Sequence, residues 1–395
     1  YGGAATTRSS AGKLEAGDGS FALHLNANAR TFNDLKIPGY ARSRHAPQSE
    51  DGDEKKGRLG NSNGRQDGGA VGGSYTWDDG YAGLSYSNYD ANYGSPAEQD
   101  VRIRMKQDHY AFASELRNLQ GPFSSLKFNA GYTDYEHREI EDGEVGTTFK
   151  NKGYEARIEA RHVPLGPLNG VVGAQVNRNE LSALGEEAFV PHTDTHSGAL
   201  FILEALQATD RLTLSLGGRL ERTVVDPDAK GNERFGAADS SKNFTAGSVS
   251  SGAVFSLTPV WSLAATLGYT ERAPTFYELY ANGAHVATGT YEVGNANLSK
   301  EKAVSSDLAL RFDNGTHAGS VGVFYSHFSQ CIGLLGTGRT RRDEGEPDAD
   351  GMPEYTYSGV RARFTGFEAK DHWKLGESAY GKFALELSGD YTRAT

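Results

Sequence analysis

Hydrophobic residues alternate with small or polar ones along most of this chain, in runs of about ten positions broken by turn-forming residues. Phe21-Leu23-Leu25-Ala27 is one such set. Val71-Gly73-Tyr75-Trp77 is another, followed by Asp78-Asp79-Gly80 and a return through Tyr81-Gly83-Ser85. A period of two sends successive side chains to opposite faces of a strand, and Asp-Gly between two such runs is a hairpin signal. The pattern recurs at 109–116, 126–135, 154–163, 168–176, 199–205, 212–224, 246–257, 262–270, 305–312, 320–328, 355–373 and 383–391. It predicts about fifteen strands, and no segment sustains the 3.6-residue period of a helix.

The connections between these runs alternate in length. Short ones fall at 78–80, 118–122, 164–167, 208–210, 258–259 and 313–316; long ones at 33–67, 90–102, 138–150, 179–197, 226–243, 273–302 and 331–353. Strict alternation puts every long loop at one end of an up-and-down sheet. That arrangement predicts an all-β fold, a transmembrane antiparallel up-and-down β-barrel with tight turns on one side of a bacterial outer membrane and large loops on the other. A soluble sandwich has no reason to obey it.

Composition sharpens this picture. Fifty glycines, 20 tyrosines and 18 phenylalanines among 395 residues suit barrel strands with aromatic residues at the membrane interfaces, and so many aromatics argue against disorder. Mean hydropathy is −0.57 and no apolar run is long enough for a membrane-spanning helix. A barrel resolves the two, since each strand shows lipid only every second residue. A net charge of −11 makes nucleic acid a poor partner, and the single Cys331 excludes a disulfide framework. The charge is concentrated in loops, at 49–58 and 341–350. No phosphate-binding loop, dinucleotide fingerprint, nucleophile elbow or His-Glu-x-x-His is present, so no enzyme is expected. The openings Tyr1-Gly2-Gly3 and Tyr391-Thr392-Arg393-Ala394-Thr395 both fall inside strand-like pattern, which predicts a piece of a larger barrel.

Candidate chemistry concentrates between Thr270 and Lys300, where a strand runs out into an aromatic excursion (Phe276, Tyr277, Tyr280, Tyr291) around one imidazole, His285. Long excursions between good strands are uncommon and usually functional. One imidazole cannot hold a metal ion alone, so partners from other loops are required. A second constellation is Glu186, Glu187, His192, Asp194 and His196. In an extended strand His192 and His196 share a face but stand about 13 Å apart, so they converge on one ion only if Pro191 begins a turn.

The run from Ser262 to Arg272 with Ala273-Pro274-Thr275-Phe276-Tyr277-Glu278-Leu279-Tyr280, the box Gly294-Asn295-Ala296-Asn297-Leu298-Ser299-Lys300-Glu301, and Phe364-Thr365-Gly366-Phe367-Glu368 resemble the TonB-dependent outer-membrane receptors. The resemblance implies a 22-stranded barrel, active as a monomer in outer-membrane lipid, that imports a ligand through an N-terminal plug driven by an inner-membrane energy complex. No plug, TonB box or closing strands are found, so this chain is expected to cover the barrel without them. Residues 282–288 and 290–295 look most like the zinc-uptake receptors, which implies His285 as a loop ligand for zinc, with Glu187 or Glu186 as the acid and Glu292 nearby. Arg272-Ala273-Pro274, His285 and Asn295-Ala296-Asn297-Leu298 also resemble the boxes of haem receptors, with Ala296 in place of a proline and Glu271 in place of an aromatic; there His285 would be an axial haem ligand. A passive porin or adhesion barrel is the alternative of another class.

Overall fold

A computed structural model describes residues 4–41, 56–185, 188–230, 233–235, 240–285, 288–341 and 351–395. The charge runs at 49–58 and 341–350 lie largely outside the described residues, as do Glu186 and Glu187. In chain order the strands are β1 (Arg8–Gly17), β2 (Phe21–Phe32), β3 (Leu35–Lys36), β4 (Arg58–Leu59), β5 (Gly64–Trp77), β6 (Gly80–Ser95), β7 (Glu98–Leu116), β8 (Phe123–Glu141), β9 (Glu144–His162) and β10 (Leu168–Gly185). There follow β11 (His192–Thr209), β12 (Leu212–Asp228), β13 (Lys242–Ser256), β14 (Trp261–Arg272), β15 (Asn282–His285), β16 (Thr290–Val293), β17 (Glu301–Asp313), β18 (His317–Arg341), β19 (Met352–Ser378) and β20 (Gly381–Ala394). A single short helix, α1 (Phe276–Tyr280), stands out among the described residues.

Eighteen of these strands form one sheet, and the short β3–β4 ladder stands apart. Two of the eighteen, β15 and β16, belong to the excursion after β14, so sixteen long strands make the wall. Each long strand pairs antiparallel with the next long one, from β1–β2 through β19–β20. The one parallel pairing sets β16 beside β19, with Glu292 opposite Tyr355.

Several strands are longer than a membrane requires, since about 9–11 residues suffice to cross one. β7, β8 and β9 each run 19 residues, and β18 and β19 run 25 and 27. The expected loops at 90–102 and 138–150 are therefore mostly strand. β6 and β7 turn only at 96–97, and β8 and β9 at Asp142-Gly143, both with positive φ. The apolar alternation fades there because both faces meet water above the membrane. Polar cross-strand contacts hold the register instead, such as Lys150 with Glu136 at 3.3 Å.

Cross-strand register assigns the two faces. Directly opposed residues share a face, and Tyr86, Tyr110, Tyr132 and Tyr154 lie opposite one another in sequence across β6 to β9. Their ring centroids are 4.9, 6.2 and 4.6 Å apart. The exposed Leu25, Val71, Leu200, Leu216 and Leu220 lie on this same face. It is the outward, lipid-facing side, and the tyrosines form an interfacial belt. The opposite face carries polar residues such as Arg219, Glu221, Thr193 and Thr223. The best-buried apolar cluster lies against that inner face, where Val225 meets Leu279, Tyr280, Ala281, Phe235, Leu298 and Tyr357. A barrel wall with lipid outside has little core of its own; here the core belongs to the cap over its mouth.

Candidate functional site

The excursion after β14 is a folded cap, and its sequence boxes explain how it is held. Arg272, the last residue of β14, donates from Nη1 and Nη2 to Glu278 at 3.0 and 2.9 Å and also reaches Glu301 on β17. Glu278 sits in the first turn of α1 and accepts a third hydrogen bond, from the Thr275 backbone N–H at 2.7 Å. The Glu278 carboxylate is almost fully buried, so these donors replace the water it lost. The Asn box docks the other end. The Asn295 N–H donates to the Glu278 carbonyl at 2.9 Å, and the Asn295 side-chain amide donates to the Tyr357 carbonyl at 3.3 Å. Gly294 is obligatory because a Cβ there would lie 2.5 Å from the Tyr280 backbone nitrogen.

Glu271 stitches the wall at the outer end of β14, where pairing with β13 stops at Tyr269. Its carboxylate accepts hydrogen bonds from Lys300 Nζ at 2.5 Å, the Gly247 N–H at 2.9 Å and the Tyr269 hydroxyl at 2.8 Å. The Lys300 ammonium, with the Gly247 amide, holds the carboxyl down at about 2. A folded-state value below the ordinary 4.5 means that this contribution is complete above pH 4.5 and fades as the pH falls toward 2. Amide exchange at Gly247 should therefore lose protection over that interval. Glu271→Gln should remove the pH dependence; a Gly247 amide equally protected at pH 5 and pH 2 in the wild type would contradict it.

His285 ends β15. Its Nδ1 lies 2.8 Å from Glu292 Oε1 on the paired strand β16, and the Tyr357 hydroxyl of β19 donates to Glu292 Oε2 at 2.8 Å. The imidazole stacks on Phe189, with centroids 4.9 Å apart and planes 11° from parallel. Glu292 is buried, and the His285 hydrogen bond lowers its carboxyl below the ordinary range; burial beside that carboxylate raises the Tyr357 hydroxyl. When the imidazole is neutral, an ionised Glu292 favours the tautomer protonated at Nδ1, with the lone pair on Nε2. A carboxylate that fixes the tautomer in this way is the usual support for a metal-binding histidine.

One further carboxylate faces this corner. Glu139, near the outer end of β8, has a buried Oε2 with no hydrogen-bond partner, and burial raises its carboxyl despite the nearby His285. Nothing in the local sequence singles out Glu139, Phe189 or Tyr357; the alternation marks only which face of the strand they occupy. Below the cap, Arg219, Glu221 and Asn179 of the wall and Pro274 and Phe276 of the roof line a cavity of about 420 Å³. His285 does not line it.

The other sequence-predicted ligands do not join His285. No turn starts at Pro191: His192 to His196 is regular β11 strand, in register with β12 from Asp228 to Val224. His192 and His196 stand on the outward face, because the residue between them, Thr193, is buried against the cap side and Thr195 lines the inner cavity. Each has its own neighbour there, Glu180 at 4.0 Å from His192 and Asp194 at 3.2 Å from His196. Among the described residues, no group of three or more His, Cys, Asp or Glu side chains converges as a metal site. Glu186 and Glu187 lie outside the described residues.

Residues 6–395 match the family described as TonB dependent receptor-like, beta-barrel. The chain belongs to the TonB-dependent receptor β-barrel family. Its fold is accordingly that of the family's up-and-down outer-membrane barrel. Among solved structures it is similar to the copper transporter OprC (TM-score 0.74, 16% identity, covering 99% of this chain and 62% of that one). It is also similar to the FrpB iron transporter from Neisseria meningitidis, F3-3 variant (0.72, 13%, 98% and 60%). A third is the Serratia marcescens hemophore receptor HasR, a double mutant in complex with its hemophore HasA and heme (0.67, 14%, 97% and 67%). Likeness at such identities concerns the fold. The chain spans about three fifths of the length of the OprC and FrpB chains.

Proposed function

We propose that this chain forms the wall and cap of an outer-membrane importer that takes up a metal ion, zinc, and is driven through a plug by the inner-membrane TonB complex. The observation that carries the metal reading is the His285–Glu292–Tyr357 clamp, in which a buried carboxylate orients one imidazole at the cap. Nitrogen and carboxylate oxygen suit zinc, and Glu139 would add to the donor set; Glu186 and Glu187, candidates by resemblance, lie outside the described residues. Family membership supports import over a passive pore or an adhesion barrel, and the charge of −11 suits a cationic cargo.

Haem is the second reading. The flat stacking of His285 on Phe189, with Tyr277 packed edge-on to Tyr357 at 5.9 Å, offers the aromatic surroundings a porphyrin requires beside an axial imidazole. Titration of the plug-containing receptor with zinc and with haemin separates the two. His285→Ala should weaken zinc binding by about tenfold or more, and Glu292→Gln by a smaller factor through the misplaced imidazole. Unchanged zinc binding with a lost Soret shift would transfer the assignment to haem. If neither changes, His285 is not a ligand. Uptake that persists without the energy complex would remove the importer reading itself.

A further inference from the structure

The hairpin that carries His285 hangs between two supports. On one side the Asn282 N–H of β15 donates to the Phe189 carbonyl at 2.8 Å. On the other, β16 runs parallel to β19 over three pairs, Tyr291 with Glu354, Glu292 with Tyr355 and Val293 with Thr356. This is a short ladder, and parallel pairing is the less stable kind per residue. Slipping β16 by one residue would put another side chain where Glu292 meets the Tyr357 hydroxyl. Side chains therefore have to hold the register.

A distortion of β18 supplies them. Gly336 pairs with Tyr355 and Thr340 with Pro353, so Thr337, Gly338 and Arg339 together face the single residue Glu354. Gly338, with φ +75°, allows this bulge to close. The extra residues gather partners on the buried Glu354 carboxylate: Thr337 Oγ1 at 3.0 Å, Arg339 Nη2 at 2.8 Å and, more distantly, Arg341 Nη1 at 3.7 Å. Arg341 in turn lies over the ring of the buried Tyr291, with Cζ 4.6 Å from the centroid. The Tyr291 hydroxyl donates to Asn282 Oδ1 at 3.1 Å. Contacts thus run from Glu354 through Arg341, Tyr291 and Asn282 to Phe189, the ring on which His285 stacks. Tyr291 and Asn282 share one face of the hairpin, and Glu292 and His285 share the other. Arg341 therefore acts on the imidazole from behind, through the hairpin.

We propose that Arg341 and Glu354 are positioning residues for His285, fixing the β15–β16 hairpin so that Glu292 and Phe189 hold the imidazole in one orientation. The consequence for metal affinity rests on the zinc reading; the consequence for the imidazole itself does not.

Full-length receptor carrying Arg341→Ala, Arg341→Lys or Glu354→Gln tests this, with heat-modifiable gel mobility reporting that each variant is folded. Without metal, diethylpyrocarbonate acylation of His285, followed by peptide mass spectrometry, reads how firmly the imidazole is held. Arg341→Ala should raise that rate about two- to fivefold, the factor expected for one cation–π contact. Glu354→Gln should act in the same direction, because Arg341 loses its acid. Arg341→Lys keeps a cation over the ring and should stay near the wild-type rate. Amide exchange should quicken at 290–293 and stay unchanged at 276–280, where the Arg272–Glu278 pair is the anchor. With zinc added, Arg341→Ala should bind about two- to fivefold more weakly, again by the loss of that contact. An acylation rate equal to the wild type's in folded Arg341→Ala would overturn the positioning role, whatever the cargo. So would zinc binding that is weakened in His285→Ala but unchanged in Arg341→Ala. Zinc binding unchanged in both, with faster acylation in Arg341→Ala, would remove zinc and leave the positioning role standing.

Discussion

Replacing Arg272 with alanine should release the cap while leaving the barrel wall intact. The Glu278 carboxylate, 6% exposed, would keep only the Thr275 amide as a donor. Stranding a buried charge commonly costs about 3–5 kcal/mol. The Arg272 side chain is 40% exposed, so water enters readily where it stood and the expected cost is nearer 2–3 kcal/mol. Read as local opening, this corresponds to amide exchange roughly 30- to 160-fold faster over residues 276–293, with the amides of β7 to β12 unaffected. Adding Glu278→Gln to Arg272→Ala should recover part of the loss, because the stranded charge is then gone. An unchanged exchange rate in the cap of Arg272→Ala would show that this ion pair does not anchor it. Arg272→Lys should fall between, having the charge without the two-pronged geometry.

Leu279→Ala should loosen the same element by a different force. Leu279 is 2% exposed and packs with Val225, Tyr280 and Leu298 in the buried apolar cluster beneath the cap. Truncating a leucine in such a place costs about 3 kcal/mol, from lost transfer energy and the cavity left behind. Limited proteolysis should then cut within 276–293 at protease concentrations that spare the wild type, while heat-modifiable mobility of the barrel stays the same. Tyr277→Ala, at a neighbouring position 37% exposed, should cost markedly less. Equal susceptibility of the two variants would mean that Leu279 is not at the centre of the cap's core.

How far the sequence reached follows from the kind of pattern each feature leaves. Strands bordered by lipid were legible, because an apolar residue at every second position is the direct trace of one face in lipid and the other in a polar lumen. The strand extensions at 90–102 and 138–150 were not, because above the membrane both faces are wet and the alternation vanishes while the ladder continues. The Asn295 box and Arg272 were visible as motifs, yet their work in the structure is mechanical: they clamp α1 and β16 to the wall. His285 was visible as the lone imidazole of an aromatic loop, and Glu292, seven positions on, as a nearby acid. Their hydrogen bond needed the β15–β16 hairpin. The histidines of β11 looked like His285's equals as a string of letters; the parity of their strand sends them outward, away from the cap.

By itself the sequence determined the barrel wall, the end at which the elaborate connections lie, and the segment that forms the cap. All three depend on residues near one another in the chain, through the fixed two-residue period of a strand and the local chemistry of turns. Tertiary structure alone decided that Tyr357, 65 positions after Glu292, completes the His285 clamp, and that the Glu139 carboxyl of β8 is turned toward the same corner. Those meetings are set by register between strands, and a shift of one residue in any pairing would send the same side chains to the opposite face.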